Sequence, residues 1–117
     1  MRWDDYIGEV RPFAHTQVPI NWLVCDGRLL EIGKYQGLYA CIGGTFGGDS
    51  VRTFALPDLR GRVPIGIGDG RLMDDPLETG NRVGVQSPSA SHEGLQSTAV
   101  VFAICYDGNF PSEHGPE

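Results

Sequence analysis

With 117 residues, of which 17 are glycine and 40% apolar, the chain has material for one modest core and is expected to form a single domain over 1–117. Fifteen acids against nine bases leave a net charge of −6 and no basic stripe, which argues against a nucleic-acid binder. The longest apolar run, Ala99–Cys105, falls far short of the ~20 residues that membrane insertion needs.

Glycine is present at roughly twice its usual share without any Gly-X-Y period. Scattered among short β-branched and aromatic runs, it predicts many turns and little helix. The expected class is α+β and mainly β, a small compact domain of short strands and long loops with one short helix. "MRWDDYIGEVRPF" is neither a signal peptide nor a transit peptide in pattern, so synthesis in a cytosol is expected. Cys25, Cys41 and Cys105 are odd in number and flanked by apolar residues. They read as reduced cysteines buried like small hydrophobes.

In chain order, Tyr6–Ala14 reads as an edge strand, because Pro12 interrupts regular pairing. Trp22–Ile32 reads as a hairpin, since Asp26-Gly27 separates two apolar runs. Residues 34–42 are the helix candidate. Leu38, Cys41 and Ile42 fall at i, i+3 and i+4 with Tyr35 on the same face, and Gly43 follows as a cap. Glycine pairs on both sides of Thr45-Phe46 predict a close backbone approach at Gly47 and Gly48. Val63, Ile65 and Ile67 alternate in Arg62–Gly68 and predict a strand. Polar loops follow at 69–94, then a buried strand over Ala99–Tyr106, an Asp107-Gly108 turn and an exposed tail. The core is thus expected over 4–68 and 95–112, with 69–94 as a variable loop.

Chemistry is sparsely signalled. His15, His92 and His114 stand far apart, and no nucleophile elbow, metalloprotease or phosphate-loop motif occurs, so an enzyme is not expected. Asp69, Asp74 and Asp75 suggest a calcium loop, but Arg71 and Met73 occupy positions that need oxygen ligands. No metal and no cofactor are expected. In "TFALPDLRGRVPIG", Arg60 and Arg62 would share one side of a strand and could form an anion site. The favoured alternative is structural. One arginine would lie over Trp22 or Trp3, and the other would pair with Asp26, Asp58 or Asp49.

The segments "DDYIGEVRPFA", "WLVCDGRLL", "YQGLYACIGGTFGGD", "RTFALPDLRGRVPIGIG" and "YDGNFPS" occur in that order. Their order and spacing resemble the phage tail collar family, whose bacterial relatives include microcystin-dependent proteins. The resemblance implies a virion component near a tail tip or baseplate, made in the host cytoplasm and commonly a homotrimer at a fibre end. It implies a framework role for Trp22, Cys25, Asp26, Gly27, Gly47, Gly48, Pro57, Asp58, Arg60, Gly61 and Arg62. Related fibres hold metal through paired histidines in a long insertion; here residues 70–94 carry only His92, which implies a collar without that head. The partners implied are other tail or baseplate proteins, with Trp3, Tyr6, Phe13 and Tyr39 as candidate aromatics at an interface. The alternative is a module that binds host cell-surface polysaccharide through exposed aromatics and the acidic loop Asp69–Glu78.

Overall fold

A computed structural model describes residues 5–67 and 97–111. In chain order the elements are β1 (Val10–Phe13), β2 (Trp22–Val24), β3 (Leu29–Glu31), α1 (Gln36–Ile42), β4 (Thr53–Ala55) and β5 (Val101–Cys105). The fold is mainly β with one short helix, as the composition predicts. Two antiparallel sheets form: β1-β5-β2 and β3-β4.

The central strand is β5, which is an almost unbroken apolar run because both of its faces are covered. Side chains alternate along a strand, so Ala103 and Cys105 meet buried Trp22 and half-buried Phe13 and Val18 on one side. Ile104 joins Ile7, Cys25, Leu30, Leu38, Phe54 and Leu56 on the other, with Phe102 and Tyr106 at its margin. Leu38 and Phe54 are fully enclosed, so the single helix and the small second sheet both pack into this larger core. Tyr35 stands edge-on to Tyr106 at 5.2 Å, which ties the start of α1 to the end of β5.

α1 begins without a side-chain N-cap, and the Gly43 N–H closes its end on the Tyr39 carbonyl. Seven residues with a glycine inside have little intrinsic helicity. What holds the helix is Leu38, with Cys41 and Ile42 against the same core.

Two expectations are corrected. The Trp22–Ile32 stretch is not a hairpin: β2 pairs with β5 and β3 pairs with β4. Asp26-Gly27 still turns the chain, with Gly27 at φ +78°, but the turn carries it from one sheet to the other. Residues 62–67 form no strand, and Val63, Ile65 and Ile67 are all exposed. Alternation alone makes no strand, and among the described residues no neighbouring backbone hydrogen-bonds to residues 63–67.

Candidate functional site

The sharpest feature is a pair of like-built clasps. Asp26 and Arg28 stand two apart, as do Asp58 and Arg60. In the first, Arg28 donates its backbone N–H and Nε to Asp26 Oδ1 (3.2 and 3.0 Å) and Nη2 to Oδ2 (2.9 Å). In the second, Arg60 donates the same three groups to Asp58 at 3.2, 2.8 and 2.9 Å. Each aspartate thereby fixes its own turn through the backbone and clamps the guanidinium in a two-pronged pair.

The clasps are laced together. Asp26 and Asp58 form an antiparallel bridge. Around it, Gly27 N–H donates to Pro57 O (3.3 Å), Leu59 N–H to Cys25 O (3.0 Å) and Leu56 N–H to Arg28 O (3.0 Å). Gly27 is required on two counts. Its φ is positive, and a Cβ there would stand 3.1 Å from the Asp58 Cβ. Pro57 is buried under the crossing.

Electrostatics follow from this geometry. The hydrogen-bonded Arg28 guanidinium holds the Asp26 carboxyl below its ordinary range, and Asp26 in turn raises Arg28. Asp58 raises Arg60, with a smaller contribution from Asp26, so the two clasps sense each other. Burial, with help from the Asp26 charge, pushes the Cys25 thiol up to about 12. A thiol so strongly protonated is a poor nucleophile.

A second cluster lies under β1. Buried Asp5 accepts from Arg11 Nη2 (3.1 Å) and from the Trp22 indole N–H (3.3 Å). Arg11 also donates Nε to Glu9 at 2.6 Å, and its guanidinium carbon sits 5.3 Å from the centre of the Trp22 ring. The cation over Trp22 is therefore Arg11, not Arg60 or Arg62. Asp49 pairs with neither arginine: its Oδ1 accepts the backbone N–H groups of Val51, Arg52 and Thr53 at 2.9, 2.9 and 3.0 Å. Gly47 accepts the Ala55 N–H at 3.1 Å, and Gly48 lies directly against the backbone of Phe54.

Arg62 lines the same groove as Arg60 but differs from it in its partners. It is half-buried and makes no ion pair among the described residues. The groove, of about 640 Å³, lies between residues 59–64 and 97–102. Gly61 lies between the two arginines, on the same groove wall.

The aromatic candidates do not come together. Phe13 packs edge-on against Trp22 at 5.6 Å, Tyr39 lies 5.3 Å from Phe54, and Tyr6 is 52% exposed. Trp3, and the acidic and histidine-bearing loop 69–94, lie outside the described residues. Among the described residues no three His, Cys, Asp or Glu side chains gather as metal ligands, and no helix is long and apolar enough to cross a membrane.

Arg28, Arg11 and Asp5 escape a reading by segments. The repeated Asp-x-Arg spacing at 26–28 and 58–60 was a visible signal for the first, whereas the Asp5–Arg11–Trp22 cluster is assembled by β1 and β2 lying on either side of β5.

Comparison with known proteins adds three findings. Residues 8–64 match the model of the Phage Tail Collar Domain family. The chain is 36% identical over 101 residues to Protein RhiB of Rhizobium leguminosarum bv. viciae, an alignment covering 80% of this chain and 46% of RhiB. The chain thus spans about half the length of that curated relative. No solved structure matches it.

Proposed function

The chain belongs to the phage tail collar domain family through residues 8–64, and from that premise we propose that it is a non-enzymatic structural component of a phage tail. It acts at a fibre, tip or baseplate, where it contributes to assembly and host attachment. It is made in the host cytoplasm and ends in the virion.

The observation that carries this reading is the family match itself, which runs from the start of β1 through both Asp-x-Arg clasps. The chemistry of the clasps agrees with it. Their carboxylates and guanidinium groups neutralise one another and fasten backbone, which is framework work, and Cys25, Gly27 and Pro57 take part in the same crossing.

Copies of the chain associate as a homotrimer without metal, alongside other tail or baseplate proteins. A chain of 12.7 kDa gains stability from such association. Light scattering of the purified chain over a dilution series, with and without chelator, tests this. The expected mass is about 38 kDa, three times that of the chain, unchanged by either treatment. A monomer throughout contradicts self-assembly, and dissociation by chelator contradicts a metal-free trimer.

A further inference from the structure

Past Gly61 the chain carries an exposed aliphatic stripe. Val63, Ile65 and Ile67 are 75%, 55% and 64% exposed, and their spacing by two places them on one side of an extended segment. Among the described residues no backbone C=O of residues 63–67 is hydrogen-bonded, nor is any N–H of Val63, Ile65, Gly66 or Ile67, Pro64 having no N–H to donate. Opposite run residues 97–100, which also belong to no strand. Between the two segments lies the groove, lined by Val24, Leu59, Val101 and Phe102. Backbone with no partner among the described residues, beside an apolar stripe, matches the arrangement by which one polypeptide accepts a strand from another.

Charge selects the guest. Residues 60–67 carry two cations and no acid. Arg60 is neutralised by Asp58, which leaves half-buried Arg62 as the charge on the groove wall with no ion pair among the described residues. A guanidinium partly withdrawn from water favours a carboxylate in a two-pronged pair. The overall charge of −6 opposes an acidic guest, but screening confines that effect to about 8 Å at physiological salt. The neighbouring groups therefore decide.

We propose that the groove between residues 59–64 and 97–102 docks an extended segment of another protein, in which aliphatic side chains alternate with a carboxylate that pairs with Arg62. The segment adds alongside residues 62–67, where backbone bonds hold it and Val63 and Ile65 set its register. This goes beyond the assembly role above and holds for a monomer or a trimer alike.

The test uses the full chain and two labelled hexapeptides, Val-Glu repeated three times and Val-Lys repeated three times, titrated by fluorescence anisotropy. Saturable binding of the glutamate peptide is expected, with the lysine peptide weaker by about ten-fold or more. Arg62→Glu is expected to reverse that preference, and Ile65→Thr to weaken both peptides. Both positions lie outside the cores, and circular dichroism verifies that each variant is folded. Equal binding of the two peptides, or binding unaltered by either variant, overturns the proposal. Failure of both peptides to bind also overturns it and assigns the groove to this chain's own residues. A self-association removed by Ile65→Thr overturns it too, and assigns the groove to a second copy.

Discussion

A single carboxylate oxygen, Oδ1 of Asp49, organises the loop between α1 and β4 by accepting three consecutive backbone N–H groups and the Thr53 hydroxyl. The backbone bonds, that from Arg52 foremost, hold this carboxyl well below the usual carboxylate range. A depressed folded value means that the stabilisation is fully present above about pH 4, the ordinary range, and is lost as pH falls toward the folded value. Melting temperature is therefore expected to fall below about pH 4. Asp49→Asn removes the titrating group and should make that fall shallower, although Asp26, also depressed, keeps part of it. A variant whose acid profile superimposes on the parent's would show that the loop bonds contribute nothing. At the same scale, Asp58 was one of the partners foreseen for the "RGR" arginines, and it does hold Arg60. A cation over Trp22 was expected from the same pair, but it is Arg11, which reaches that ring only once β5 has brought β1 and β2 into one sheet.

Elements show what sequence can and cannot convey. The helix was legible because its signal is local: Leu38, Cys41 and Ile42 recur at helical spacing, and these residues meet the core. The Trp22–Ile32 hairpin was misread for the opposite reason. Asp26-Gly27 is a genuine turn, but a turn signal does not say which strands pair, and the partners β5 and β4 lie far along the chain. The close approach at Gly48 is measurable in the same terms. A Cβ there would stand 2.5 Å from the Phe54 Cα at a φ of +92°, whereas a Cβ at Gly33 would meet nothing within 4 Å. Gly48→Ala should cost more than about 1 kcal/mol in chemical denaturation, and Gly33→Ala should cost nothing or stabilise slightly. Equal effects would mean that β4 does not press on Gly48.

Across the described residues, charges fasten the fold: Asp26–Arg28 and Asp58–Arg60 are paired, and Asp5–Arg11 is joined by Glu9 and Trp22, while the stripe from Val63 to Ile67 is exposed. The resemblance carried by "WLVCDGRLL" and "RTFALPDLRGRVPIGIG" was legible because it rests on order and spacing, and the family match begins at Gly8 and ends at Pro64. The surface proposed to dock another protein was not legible, because alternation in Arg62–Gly68 looks the same whether the partner strand is internal or comes from another protein. The central claim, a place in a phage tail, is tested most directly by mass spectrometry of particles sedimented from cultures that produce the chain. The account predicts peptides of this chain in the tail-bearing fraction, retained through a high-salt wash. Particles with intact tails that lack it, while the chain remains in the supernatant, would contradict the account.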